Sequence, residues 1–144
     1  MLDPAGGALG KMLPAFRMGL GGPVGSGEQG FPWIGIDELL DVYAWVLQKK
    51  DMKGPVNAVH PGQISQKVFS NILAGLLSRP SFMPLPAGVV RALFGEMGQE
   101  TLLADLNIQP AVLLESGFDF RHSMLADCLG HLLGNQSAND KAEA

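Results

Sequence analysis

Residues 16–37, FRMGLGGPVGSGEQGFPWIGID, are so rich in glycine that they predict a loop with several turns of positive φ between regular elements. A dinucleotide-binding fingerprint needs G-x-G-x-x-G directly after a strand and at the start of a helix. Gly19, Gly21 and Gly25 have one residue too many in the second gap, and the stretch follows a predicted helix. It also lacks the lysine of a P-loop. We therefore predict that this stretch is not a phosphate cradle.

Two interpretations of this loop stay open at the level of sequence. The first is a flexible surface loop that only connects its neighbours. The second is a loop that closes over a ligand, near the end of a predicted FPWI strand. In that case the backbone amides of Gly25, Ser26 and Gly27, with the side chains of Ser26 and Gln29, bind a polar substrate. Spacing alone does not decide between them.

Three further side chains could take part in such a site. Arg17 and Arg91 could hold a phosphate, and Trp33 could stack on a base, because arginine and aromatic rings suit those two groups. The alternative is ordinary packing for the tryptophan and a solvated charge for each arginine. We favour that alternative for each residue because surface charges arise easily.

The order of predicted elements is that of an α/β protein. A helix at 8–20 carries apolar residues at helical spacing, and FPWI reads as a short strand. A helix at 38–50 follows, then a PVNAVH strand, then a helix at 63–78 that Ser65 or Gln63 helps to start. A strand, helix, strand order predicts a parallel sheet.

Beyond residue 79 the pattern becomes mainly helical. Three prolines in RPSFMPLPAGVV precede predicted helices at 87–95, 97–105 and 109–116, an extended FDF, and a last helix. We predict three parts: the end of a Rossmann-like domain at 1–62, a helical subdomain at 63–134, and a disordered tail at 135–144.

Apolar stripes predict which helix faces are buried. The stripe of the 38–50 helix consists of Leu39, Leu40, Tyr43, Val46 and Leu47. That of the 63–78 helix consists of Ile64, Val68, Ile72, Leu73, Leu76 and Leu77, and that of the last helix of Leu125, Cys128, Leu129, Leu132 and Leu133. We interpret Asp37 and Glu38 as helix-start residues, with Asp37 as the N-cap, and not as a catalytic pair of acids.

Cysteine and histidine usage gives no strong catalytic or metal signal. His60, His122 and His131 are far apart in sequence and have no metal-ligand spacing, so we assign no metal and expect solvated or hydrogen-bonded histidines. Cys128 with His131 and Asp127 supplies the residue types of a nucleophilic site. Because Cys128 lies on the apolar stripe, core packing is the favoured interpretation.

Composition excludes several classes of partner. The chain has 144 residues, a formal net charge of -4 and dispersed basic residues, so nucleic acid is an improbable partner. No apolar run approaches the roughly 20 residues of a membrane-spanning helix, which predicts a soluble protein without membrane contact. A single cysteine and no recognisable signal peptide favour a reducing, cytoplasmic setting.

Several motifs together resemble a known family. They are GGALGKMLPAFRMGLGGPVGSGEQGFPWIGID, GPVNAVHPG, RPSFMPLPAGVVRALFGEMG and LLESGFDFRH, which occur in the family's order over most of residues 5–134. They resemble the C-terminal half of the epimerase-family branch of atypical, extended short-chain dehydrogenases, including its small C-terminal domain of unknown function. The resemblance implies the remnant of a Rossmann-like parallel sheet followed by a mainly helical substrate-side subdomain. It also implies NADP in the full-length family and sugar-nucleotide-like substrates.

The sequence departs from that family where the chemistry would lie. No glycine fingerprint is present, and Tyr43, the one tyrosine, is followed four positions later by Leu47 instead of lysine. The family's W-I-H becomes W-I-G at Gly35, and its V-L-P-K becomes IQPA at 108–111. We therefore predict no catalytic residues and no cofactor binding by the chain alone.

Two other hypotheses follow from a sheet that lacks its remaining strands. The chain could be a non-catalytic interaction module that self-associates or binds a partner chain through an exposed sheet edge. Alternatively, a neighbouring chain could supply the missing Rossmann half in trans.

Overall fold

The computed structural model describes residues 1–81 and 105–142, with the backbone alone for 135–142. The described residues form five helices and two short strands. In chain order these are α1 (Gly7–Arg17), β1 (Gly30–Phe31), α2 (Ile36–Gln48), β2 (Ile64–Ser65), α3 (Gln66–Leu76), α4 (Ala111–Glu115) and α5 (Leu125–Ala142). No helix in the described ranges is long and apolar enough to cross a membrane.

The predicted α/β class is confirmed, but the strands differ from the predicted ones. β1 pairs with β2 in antiparallel orientation, and Leu2 forms an isolated parallel bridge with Gly35. FPWI gives only Phe31 to a strand, because Pro32 has no N–H to donate to a ladder. PVNAVH forms no strand and joins the FPWI segment through the His60 amide, which donates to the Trp33 carbonyl at 2.7 Å.

The main core lies between α1, α3 and α5. The apolar residues of α1 and α5 are buried where the stripes place them, and Phe69 of α3 contacts Phe31 with ring centroids 4.4 Å apart. Burial of such side chains is the dominant stabilising effect in a domain of this size. The buried members of this core are Leu2, Leu9, Met12, Leu13, Phe16, Trp33, Phe69, Leu73, Ala74, Leu125, Cys128, Leu129 and Leu132.

Three helices end in the same capping arrangement. Gly19, Ser78 and Gly117 each have positive φ directly after the C-cap residue of α1, α3 and α4. In α1 the amide of Leu20 donates to the carbonyl of Ala15 at 2.9 Å, which is the outer bond of a Schellman motif. These motifs satisfy the last carbonyls and turn the chain sharply, so each connection begins in a defined direction.

The α2 prediction is wrong in its cap and in part of its buried face. Gly35 is the N-cap residue, and Asp37 lies in the first turn. The smaller core of Ile34, Val42, Leu113 and Phe118 buries Val42, and Leu39, Trp45 and Val46 pack against it. Three members of the predicted stripe face outwards instead: Leu40, Tyr43 and Leu47.

The α3 prediction is right about its start and about part of its face, since Leu73 is buried and Ile64, Ile72 and Leu77 pack against the main core. Ser65 is the N-cap, and its side chain accepts from the Val68 amide. The buried face carries Phe69 and Leu73, whereas Val68 and Leu76 are exposed. Two polar side chains, described below, share the buried face, and their hydrogen bonds fix the rotation of the helix.

The rest of the predicted helical part is described only in places. The helix predicted at 109–116 is α4, and FDF has no regular secondary structure. The helix predicted at 87–95 and almost all of the one at 97–105 lie outside the described residues. The backbone of 135–142 continues α5, where the sequence predicts a disordered tail.

Candidate functional site

The glycine loop, residues 19–30, lies against the start of α3. The Gln66 amide donates to the Gln29 carbonyl at 3.0 Å, and the Lys67 amide donates to the Gly27 carbonyl at 2.8 Å. The first amides of a helix have no partner within the helix. Here the loop carbonyls supply that partner, so the loop is fixed to the helix through the backbone.

A buried chain of side-chain hydrogen bonds fixes the first half of the loop. The Val24 amide donates to Gln66 Oε1 at 2.8 Å, and Gln66 Nε2 donates to Ser70 Oγ at 3.0 Å. Ser70 Oγ in turn donates to the Gly22 carbonyl at 3.1 Å. Gln66 and Ser70 are fully buried, and linked hydrogen bonds in a low dielectric reinforce each other. The structure therefore favours an anchored loop over a flexible connection.

The predicted ligand-binding groups of the loop divide into two sets. The Gly27 amide and Gln29 Nε2 both donate to the Val24 carbonyl, so they are engaged within the loop. Gln29 Oε1 accepts from Ser26 Oγ at 3.2 Å, and Gln29 is buried. Gly25 and Ser26 are exposed at the loop tip. A ligand role stays a prediction, and Gly25 and Ser26 are the loop residues placed to meet one.

The other predicted site residues are dispersed. Trp33 is buried, stacks on His60 with centroids 4.0 Å apart and donates from Nε1 to the Gly62 carbonyl at 2.9 Å. Its ring is therefore unavailable to stack on a base. Arg17 is the exposed last residue of α1, and Arg91 lies outside the described residues.

A polar cleft of about 290 Å³ adjoins the second half of the loop. The Gly30 amide donates to Asp105 Oδ1 at 2.8 Å, and Gln63 Nε2 donates to Asn107 Oδ1 at 2.6 Å. Glu28 also lines the cleft. The negative charges of Glu28 and Asp105 repel a phosphate, whereas their carboxylates can accept hydrogen bonds from a hydroxyl-rich group. The lining residues are Glu28, Gly30, Gln63, Ile64, Ser65, Asp105, Leu106 and Asn107.

A second polar site joins α2 to α5 and is called the carboxylate–histidine cluster: Asp37, Glu38, His122 and His131. His122 Nε2 and His131 Nε2 lie 3.2 Å and 3.4 Å from the same oxygen, Asp37 Oδ2. The His122 amide donates to Glu38 Oε1 at 3.2 Å. Glu38 is fully buried, and its Oε2 has no hydrogen-bond partner within the part of the chain that the structure describes. Across the described part of the chain, no group of three or more His, Cys, Asp or Glu side chains is arranged so that it could hold a metal ion.

His60 links this cluster to the main core. Its Nε2 donates to the His122 carbonyl at 2.9 Å, and its Nδ1 accepts from the Gly62 amide at 2.9 Å. A ring that donates from one nitrogen and accepts at the other is the neutral tautomer with its proton on Nε2. His60 and His122 are thus buried and hydrogen-bonded, as expected for them.

The pKa values of Asp37 and Cys128 are shifted in opposite directions. Burial acts to raise the pKa of Asp37, but the Glu38 amide, His122 and the charge of Arg121 together lower it below its ordinary value. Burial, reinforced by the nearby Asp37 and Glu38 carboxylates, raises the pKa of Cys128 to about 12. Cys128 is fully buried in the main core and stays a thiol at neutral pH, as its core interpretation requires.

Gly35 is required by the space around it. A Cβ at this position would lie 2.8 Å from Cys128 Sγ and 2.8 Å from Asp37 Oδ1. Its φ of -70° is ordinary, so the constraint is steric and not conformational. The W-I-H pattern has a histidine at this position, and a side chain here would require Cys128 or Asp37 to move.

Sequence reasoning missed Gln66, Ser70 and the burial of Glu38. A usable signal was Gln66 with Ser70, two polar residues at i and i+4 on the same side of α3 as Phe69 and Leu73. Glu38 offered no comparable signal, because its main-chain partner His122 is 84 residues away.

The described residues do not fit a dinucleotide. The glycine loop follows α1 and leads into β1, and its Gly27 amide and the first amides of α3 already have partners. A pyrophosphate needs free amides at a helix start directly after a strand. We therefore derive no chemical step through a nicotinamide cofactor from these residues.

Comparison with known proteins decides the relationship. Residues 85–132 match a family described as a domain of unknown function, DUF1731. The chain is 37% identical to the human Epimerase family protein SDR39U1 over 133 residues, which is 92% of this chain and 45% of the human one. A crystal structure of that human protein with NADPH matches with a TM-score of 0.85 and 36% identity over 93% of this chain and 45% of that one. The chain is therefore similar to the C-terminal part of epimerase family proteins.

A more distant structure extends the comparison. The nucleoside-diphosphate sugar epimerase of Corynebacterium glutamicum matches with a TM-score of 0.66 and 27% identity, over 93% of this chain and 24% of that one. The chain thus spans less than half the length of these epimerase family relatives.

The anchor of the glycine loop can be tested by replacing Gln66. Gln66→Leu leaves the Val24 amide buried without an acceptor, which should lower the free energy of unfolding by about 1–3 kcal/mol. Gln48→Leu, at an exposed position of α2, is the matched control and should change it by less than about 0.5 kcal/mol. Urea unfolding measures both; equal effects would contradict the anchor.

The contact between Gly35 and Cys128 can be tested with a double-mutant cycle. Gly35→Ala should lower the free energy of unfolding by about 1–3 kcal/mol, because its Cβ overlaps Cys128 Sγ. The loss should be smaller in a Cys128→Ala background, where that overlap is gone. Strictly additive effects in thermal or urea unfolding would mean that the two positions are not in contact.

Asp37 should contribute to acid sensitivity. Because its pKa is lower in the folded state, its contribution to stability is present above about pH 4 and is lost as the pH falls through the folded pKa. Asp37→Asn should therefore be less stable than the wild type near pH 6, and the difference should shrink towards pH 3. Exposed Asp51→Asn is the control for urea midpoints at both pH values. A constant difference would rule out the linkage.

Proposed function

We propose that this chain is the substrate-side portion of an NADP-dependent epimerase or oxidoreductase of the short-chain dehydrogenase superfamily, and that it is catalytically inert alone. The observation that carries the proposal is the match, over 93% of this chain, to less than half of a human epimerase family protein whose crystal structure holds NADPH. The substrate is a sugar-nucleotide-like molecule, in keeping with the nucleoside-diphosphate sugar epimerase to which the chain is also similar.

In this proposal the anchored glycine loop helps to form one wall of the substrate site. Its tip exposes Gly25 and Ser26, and the polar cleft beyond Gly30 receives hydroxyl groups of the sugar. Arg17 and Arg91 are the candidate phosphate-binding residues of this proposal. Fixing the loop through Gln66 orients these groups before the substrate arrives, which lowers the entropy lost on binding.

The chain supplies no pair for proton relay. Tyr43 is the one tyrosine, and the residue four positions after it is Leu47 and not a lysine. The hydride-transfer chemistry belongs to the cofactor and to residues outside this chain. A reducing, cytoplasmic setting is part of this proposal, since it keeps Cys128 as a thiol.

Calorimetric titration with NADPH tests the proposal. The purified 144-residue chain should bind no NADPH at concentrations well above the micromolar range typical of such enzymes. The same titration on a joined protein should show one saturable site; the joined protein consists of the N-terminal part of human SDR39U1 followed by residues 1–144. Saturable binding to the isolated chain would overturn the inert-portion proposal.

A further inference from the structure

The outward side of α2 carries an apolar stripe. We call Leu40, Tyr43, Ala44 and Leu47 the outer face; they follow the i, i+3, i+4, i+7 spacing of one helix side. Leu40 is 60% exposed, Tyr43 62% and Leu47 84%. Among the described helices, α2 has the largest number of large apolar side chains that are exposed.

The opposite side of α2 is already covered. Val42 is buried among Ile34, Leu113 and Phe118, so α2 is apolar on both sides. A surface helix normally has one apolar and one polar side, and a helix that is apolar all round lies inside a larger structure. Asp41 lies beside the stripe, and its carboxylate forms an ion pair with Arg121.

The size of the face favours an extended occupant. A stable interface between separate proteins buries about 800 Å² on each partner, and four side chains along roughly 10 Å of helix fall well short of that. Self-pairing through this stripe alone would therefore be weak. The small area is no obstacle for an occupant that also contacts other parts of the chain, or for one that belongs to the same polypeptide, because less entropy is then lost on association.

We propose that the outer face of α2 is the docking surface for the nucleotide-binding half that epimerase family proteins have in addition to the part matched here; this rests on the proposed function. The human relative is more than twice as long as this chain, and the matched part keeps its fold with a TM-score of 0.85. In α/β nucleotide-binding folds, helices cover the apolar faces of a parallel sheet. The outer face has the chemistry of such a covering helix, and Tyr43 is a packing residue on it.

The decisive experiment compares one substitution in two contexts. In the isolated chain, Leu47→Asp should leave the melting temperature unchanged, because Leu47 is exposed. In the joined protein, it should lower the melting temperature by about 5 °C or more, because it places a charge in the contact. Val68→Asp, at a valine of α3 that is 42% exposed, is the control and should have little effect in either.

The possible outcomes separate this inference from the proposed function. A joined protein that melts cooperatively, responds to Leu47→Asp and binds no NADPH would support the docking surface and reject the cofactor proposal. Leu47→Asp with no greater effect than Val68→Asp, or a joined protein with no cooperative transition, would overturn the docking surface. A dimer of the isolated chain that Leu47→Asp dissociates would also overturn it, since the face would then join two copies.

Discussion

The hydrogen bonds that Gln66 makes at the start of α3 are the interaction on which the described structure depends most. They bring a glycine-rich segment with little apolar content of its own onto the buried face of a core helix. Without a partner, each buried polar group would cost about 1–3 kcal/mol, so these hydrogen bonds stabilise the loop against the helix. The direction of β1, and with it the position of Trp33, follows from that attachment.

The carboxylate–histidine cluster plays the corresponding part at the start of α2. The burial of Glu38 is tolerated because the His122 amide donates a hydrogen bond to one of its carboxylate oxygens. The imidazole rings of His122 and His131 contact the neighbouring Asp37 and not Glu38. Cys128 packs closely beside Gly35, so a side chain at that position would require Cys128 or Asp37 to move. Glycine therefore suits the local packing at the position where the W-I-H pattern has a histidine.

The two sides of α2 differ in whether the described part of the chain covers them. Its inner side belongs to a core that the chain completes alone, whereas its outer face is apolar and exposed. In our docking proposal, the nucleotide-binding half of an epimerase family protein covers that outer face, and Tyr43 is a packing residue in the contact. The chain spans 45% of the length of its human relative.

The sequence by itself determined the α/β class, the existence of α1, α3 and α5, the buried residues of α1 and α5, and the resemblance to epimerase family proteins, because periodicity and motif order are local properties. Only the tertiary structure decided the rotation of α2, the anchoring role of Gln66 and the neutral, buried state of His60. It also showed that Trp33 and Gln29 are engaged inside the protein. These features depend on partners that are up to 85 residues apart in the chain, such as Asp37 and His122. A pattern in a short window of sequence does not predict the distance between two such side chains.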